Sequence, residues 1–301
     1  MTLRKALLVG INAYPESPLR GCLNDVAQMH DVLARGYGFS EADIRVLADG
    51  EATLGGIKDG LAWLATGGAE PDAVRVFHFS GHGSQVADWN GDEPDGRDEC
   101  LVPFDYTTAG MLTDDILKAL YDQFPKNGNL TLVMDCCHSG TIQRALAEDL
   151  VFRFIPMSAA ERQACDAAAA KFAEAQRVYV VDMMRRMRSE ELSEDDMQDR
   201  ALQLMARFEK RFGDVRVREG NLLLAGCRAD QSAADALIEG DYHGAFTHAL
   251  TKAVFESPTQ LSYRDLMDQA TNKLLAGHFE QVPQLECESL RDRQMAFLPF
   301  V

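Results

Sequence analysis

Short apolar runs, closed by abrupt turns and separated by stretches of helical spacing, constrain this chain more than any other feature. Lys5–Ile11 runs into Asn12, Ala13, Tyr14 and Pro15, a strand followed by a loop. Asn24–Ala34 places Val26, Met29, Val32 and Leu33 on one helical face. Ile44–Leu47 reads as a second strand, and Ile57–Leu64 resumes the helical period. Val74–Phe79 is a third strand, stopped by Ser80, Gly81, His82 and Gly83. Leu130–Met134 is a fourth, stopped by Asp135, Cys136, Cys137, His138, Ser139 and Gly140. After Asn221 the pattern returns, with Leu222–Ala225 and Gln294–Pro299 as strands and Gly244–Glu256 and Tyr263–Leu275 as helices. Such alternation predicts an α/β fold with a mostly parallel central sheet flanked by helices. Residues 147–220 are rich in Ala, Met, Arg and Glu, nearly lack Gly, and read as a helical insertion with an acidic stretch at Ser189–Asp199. The expected division is 1–146, the insertion 147–220, and 221–301, within one domain.

Composition narrows the function classes. The 301 residues are 46% hydrophobic and 26% charged, which suits a globular core, and the formal charge of −17 disfavours nucleic acid and anionic membranes. The apolar run Ala6–Ile11 is too short for a signal segment, and no stretch approaches a membrane span. A cytoplasmic protein whose seven cysteines stay reduced is the expectation.

Active sites of open α/β sheets lie at the carboxyl ends of strands. Two ends here carry a reactive group beside glycines: His82 in one turn, Cys137 in the other. A thiol and an imidazole on neighbouring strands form the minimum set for nucleophilic acyl transfer. Backbone N–H groups near Gly83 and Cys137 are the candidates for an oxyanion hole. Of the adjacent thiols, Cys137 is nearer the turn and is the better nucleophile, leaving Cys136 as a small buried apolar residue. A zinc site competes, since His78, His82, Cys136, Cys137 and His138 are all ligand types. An extended Val74–His82 would set His78 and His82 about 13 Å apart, too far for one ion.

At these residues the chain resembles the metacaspases, within the caspase-like cysteine peptidases. The Ser80-Gly81-His82-Gly83 and Asp135-Cys136-Cys137-His138-Ser139-Gly140 turns match the family's paired motifs, and the histidine lies 55 residues upstream of the cysteine (82 to 137). Leu19–Asp25, the acidic loop Gly91–Glu99, Gly226–Asp235, Gly244–Thr247 and Gln281–Leu285 extend the likeness over nearly the whole chain outside the insertion. The resemblance implies a cysteine endopeptidase with Cys137 as nucleophile and His82 as proton carrier, cleaving after Arg or Lys. Its S1 pocket would fall on Asp25 and Asp135, with Cys22 and Ser80 in the wall. A carboxylate pair suits arginine, the bidentate cation; alone, Asp25 would read as a carboxylate at a helix N-terminus. The resemblance further implies calcium on Asp98, Asp114 and Asp115. Here Arg144 replaces the expected fourth acidic ligand, and a helix-start role for Asp114 and Asp115 is the competing reading. Self-cleavage is expected in the insertion, with Arg185, Arg186 and Arg188 as candidate sites against a plain charged helix face. Basic protein substrates and a monomer follow from the same likeness. The alternative is a caspase-fold regulatory or scaffold module with little turnover.

Overall fold

The computed structural model describes residues 2–67, 73–88, 95–125, 129–137, 150–189, 221–228, 231–287 and 291–299. Among the described residues, six strands form the central sheet: β1 (Arg4–Gly10), β2 (Ile44–Ala48), β3 (Val74–Ser80), β7 (Asn129–Asp135), β9 (Asn221–Ala225) and β12 (Gln284–Cys287). Their order is β12-β9-β7-β3-β1-β2, and every pairing is parallel except β12 with β9. Six shorter strands are β4 (Gly83–Ala87), β5 (Arg97–Leu101), β6 (Leu112–Thr113), β8 (Leu150–Phe152), β10 (Ala234–Ile238) and β11 (Asp241–Gly244). The helices are α1 (Cys22–Asp31), α2 (Leu54–Ala65), α3 (Tyr106–Ala109), α4 (Asp114–Tyr121), α5 (Ala159–Ser189), α6 (Ala245–Glu256) and α7 (Tyr263–Ala276).

The runs are apolar at consecutive positions, and successive side chains of a strand point to opposite faces, so these strands are buried on both faces. Ala6 and Leu8 join one apolar cluster with Val76, Val133, Val26 and Met29 of α1, Phe246 and Leu250 of α6, and Leu266 of α7. Leu7 and Val9 point the other way, to Phe77, Phe79, Leu132, and Ile57, Leu61 and Leu64 of α2. Helix starts follow their side chains: Thr53 Oγ1 accepts from Gly56 N at 3.0 Å, and Ser262 Oγ from Asp265 N at 3.1 Å.

Compactness divides the chain into two units. The first draws on residues 1–84, 100–156 and 217–301; the second on 85–99 and 157–216. Within the second, α5 sets Cys165 and Met157 against Ala87. Gly96, at φ +70°, packs its backbone where a Cβ would lie 2.3 Å from Ala169 N. Two expectations change. Gln294–Pro299 is not the last strand; Arg291–Arg293 forms a 3-10 turn, and Met295 makes only a single bridge to Ser262. Leu150–Pro156 belongs to the first unit, not with the helical insertion, because β8 pairs antiparallel with β10. Residues 190–199 of the acidic stretch lie outside the described residues.

Candidate active site

The carboxyl ends of β3 and β7 are neighbours in register, Ser80 opposite Asp135. That pairing brings the two reactive turns together. The closeness depends on glycine: a Cβ on Gly83 would sit 2.0 Å from Cys137 O. His82 is held from three sides. Its N–H donates to Tyr14 Oη (3.1 Å), the tyrosine ring lies 4.6 Å from the imidazole, and Nε2 lies 2.7 Å from Ser17 O. A carbonyl only accepts, so Nε2 carries the proton and Nδ1 keeps its lone pair. Nδ1 is buried and has no hydrogen-bond partner. Burial, the largest cause, lowers the His82 pKa to about 4, against smaller upward pulls from Ser17 and Asp235.

Cys137 is fully buried. Its sulfur accepts the Ala233 N–H in a short contact and lies 3.6 Å from Ala233 O, in a small cluster with Cys227 and Phe154. Sulfur and imidazole are therefore brought to one locality without a hydrogen bond between them. Cys136 is buried in the apolar cluster beneath α2, as its position after β7 suggests. None of the seven cysteines, all of them among the described residues, forms a disulfide. His138 and Arg144 lie outside the described residues.

Across this locality runs the segment Leu150–Ile155, which the sequence alone merges with the insertion. Arg153 O accepts from both Gly83 N (3.0 Å) and Cys137 N (3.2 Å), while Arg153 N donates to Ala233 O (3.1 Å). The guanidinium is entirely buried. Its Nη2 contacts Asp25 Oδ2 at 2.8 Å and Asp235 Oδ1 at 2.9 Å. Its Nη1 contacts Ser80 Oγ at 2.7 Å, Asp135 O at 3.2 Å and Asp135 Oδ1 at 3.4 Å. Asp25, Asp135 and Ser80 thus meet around one cation, with Cys22 buried in the same turn of α1 as Asp25. Burial, chiefly, raises the Cys22 thiol to about 12.

Burial also pushes the Asp25 carboxyl upward, but Arg153, His243 and Ser80 outweigh it and hold the pKa below its ordinary value. Asp135 differs. Burial and the neighbouring Asp25 charge raise it to about 6 against the pull of Arg153 and Thr247, although Thr247 donates to Asp135 Oδ2 from both N (2.8 Å) and Oγ1 (2.7 Å).

Asp98 lies on β5, whereas Asp114 and Asp115 open α4 behind Thr113, whose Oγ1 accepts from Ile116 N at 3.3 Å. Among the described residues no three His, Cys, Asp or Glu side chains group as a metal site. Arg185, Arg186 and Arg188 fall within α5, whose backbone is helical there rather than extended, and their side chains lie outside the described residues. No helix among the described residues is long and apolar enough to cross a membrane.

The metacaspase peptidase C14 domain matches residues 4–145. Metacaspase-1 of Schizosaccharomyces pombe is 30% identical over 311 residues, spanning 98% of this chain and 69% of the relative. The chain belongs to the metacaspases. Two solved structures share the fold of this metacaspase. A protein of Geobacter sulfurreducens superposes with TM-score 0.64 at 23% identity, covering 99% of this chain and all of that one. Caspase-1 of Spodoptera frugiperda gives 0.53 at 12% identity, over 95% and 86% of the two chains. The metacaspase is a cysteine-type peptidase of the caspase-like α/β fold.

Burial of neutral histidines gives the metacaspase a defined acid sensitivity. His78 on β3 is also lowered to about 4, chiefly by burial. Unfolded, both rings protonate near 6.5, so between about pH 6.5 and 4 the unfolded chain binds more protons and stability is lost as the pH is lowered. Asp135 acts oppositely below about 6, where the folded chain holds its proton more tightly. Two histidines outweigh one carboxyl. The urea midpoint of the Cys137→Ala chain is expected to drop between about pH 7 and about pH 5, by on the order of 2 kcal/mol in stability. His78→Gln should roughly halve the histidine contribution; an unchanged slope would contradict this account.

Proposed function

We propose that this metacaspase hydrolyses peptide bonds after arginine or lysine, using Cys137 and His82, and that the Arg153–Phe154 bond is its own first substrate. One observation carries the reading. Arg153 directs its side chain to Asp25 and Asp135 while its carbonyl oxygen takes the N–H groups of both Gly83 and Cys137. A residue bound as substrate needs both: a charged pocket for recognition and two donors where negative charge develops on oxygen. β8 supports it too, pairing with the β10 edge as an extended peptide would, with Ala234 opposite Phe152 and Asp235 opposite Val151.

In the proposed reaction the sulfur leaves Ala233 and bonds to the Arg153 carbonyl carbon, giving its proton to His82 Nδ1. The carbonyl electrons move onto the oxygen held by Gly83 and Cys137. When they return, the C–N bond breaks and the imidazolium passes its proton to the Phe154 nitrogen. Water then adds to the thioester and delivers a proton to Nδ1; the C–S bond breaks, the sulfur takes that proton back from Nδ1 as the thiol, and a carboxyl group is left at Arg153. Ser17 O keeps the ring in the tautomer this requires. With the His82 pKa at about 4 under β8, the ring is a weak base, so cleavage of the bond is expected to be slow.

Incubated protein is expected to yield a fragment ending at Arg153, identified by intact mass, and Arg153→Gln should stay whole at that bond. Replacing Arg185, Arg186 and Arg188 together should leave the cut in place. Cleavage confined to those three arginines would overturn the proposal. Calcium activation is proposed on the resemblance alone, and the same incubation with and without calcium tests it. Basic protein substrates, a monomeric enzyme and a cytoplasmic setting complete the reading, supported by the acidic composition, the family likeness and the sequence.

A further inference from the structure

We propose that Asp235 makes this pocket prefer arginine to lysine. The inference rests on the reading of the cleft as a site for a basic residue, and it assigns a role to a side chain 210 positions from Asp25 (25 to 235) on the opposite half of the sequence. Asp235 stands on β10, fully buried, between Val151 of β8 and Gly244 of β11. Its Oδ2 accepts from Arg20 N at 2.9 Å and its Oδ1 from Gly21 N at 3.0 Å. Those two backbone donors fix the carboxylate before any ligand arrives. Gly21 permits the approach, since a Cβ there would lie 2.6 Å from Asp235 Oδ1. The same Oδ1 then meets Arg153 Nη2 at 2.9 Å.

The fork of the guanidinium is what uses this third carboxylate. Nη1 is occupied by Ser80 and Asp135, and Nη2 is shared between Asp25 and Asp235. A lysine ends about one bond short, with its nitrogen where the arginine has Cζ. Asp25 and Ser80 are linked at 2.7 Å and offer adjacent oxygens to such a point charge. An ammonium drawn toward them moves away from Asp235, whose backbone tethers keep it from following. Arginine therefore gains a charge-assisted hydrogen bond that lysine forgoes, and Asp235 separates the two cations where Asp25 and Asp135 attract both.

The experiment compares kcat/KM for two peptides differing only in Arg or Lys before the scissile bond. It uses the full chain and the Arg153→Ala chain, in which the internal arginine no longer competes. Asp235→Asn is expected to lower the arginyl value about 30-fold and the lysyl value about 3-fold at most, so the Arg:Lys ratio falls about tenfold. Equal losses for both peptides, or an unchanged ratio, would overturn the assignment and leave Asp235 as a strut for Arg20 and Gly21. Should Asp235→Asn not fold, Asp235→Glu keeps the charge, displaces the oxygen, and is read by the same ratio. A parent chain that cleaves neither peptide would instead sink the reading of the cleft itself.

Discussion

Cys137→Ala is expected to lower hydrolysis of an arginyl reporter peptide by about 10⁴-fold or more, and to leave the Arg153–Phe154 bond whole. The effect is this large because no other described thiol can take over. Cys136 is buried in the apolar cluster on the far side of the sheet end, and Cys22 has its thiol raised to about 12 within the acidic pocket. Cys227 lies in the same small cluster as Cys137, but hydrogen bonding to the Cys137 sulfur, then burial, push its thiol pKa far upward. Folding should survive. Alanine removes one acceptor for the Ala233 N–H, and Arg153 O, Gly83 and the strand pairings remain. Circular dichroism and a urea titration would show an intact chain, against which residual turnover within tenfold of the parent would be decisive evidence for another nucleophile.

Asp25→Asn should cost about 10²- to 10³-fold in kcat/KM for the arginyl peptide, with the loss mostly in KM. Asp25 does more than oppose one charge. Its Oδ2 accepts from Ser80 Oγ (2.7 Å) and Arg153 Nη2 (2.8 Å), and its Oδ1 accepts from Gly244 N (2.9 Å). The amide keeps the shape and removes the charge, so a guanidinium entering a dry pocket meets two carboxylates instead of three, one of them already raised to about 6. A peptide series with neutral residues before the scissile bond should be little affected. Equal losses across the series would mean that the substitution acts through the fold and not through recognition.

The central sheet was legible because its strands are short, apolar on alternate faces and cut off by glycine or acidic turns; β1, β2, β3, β7 and β9 fall within a residue or two of the expected runs. β8 was not. Leu-Val-Phe-Arg-Phe-Ile-Pro alternates branched and aromatic residues ahead of a proline, a strand signal, but it adjoins a long Ala- and Glu-rich segment whose helical character dominates its neighbours. That is why placement and composition point to Arg185, Arg186 and Arg188 for self-cleavage, just before an acidic run. Proteolysis needs an extended backbone, and α5 denies it there. Ser17 is invisible in the sequence for a different reason: it acts through a carbonyl, which every residue has. Asp235 required a contact between β10 and the start of α1 that no local spacing encodes. Asp25 and Asp135, by contrast, each follow a recognisable element, and both meet the same cation.

The segment across the cleft is part of the chain it would regulate. β8 is joined to β10 through the same polypeptide, so encounter between Arg153 and the sulfur is unimolecular. Conversion would then proceed with the same half-life in dilute and concentrated solution, and dilution could not preserve the uncut form. A freely diffusing inhibitor would have to outcompete a tethered arginine whose effective concentration is on the order of millimolar.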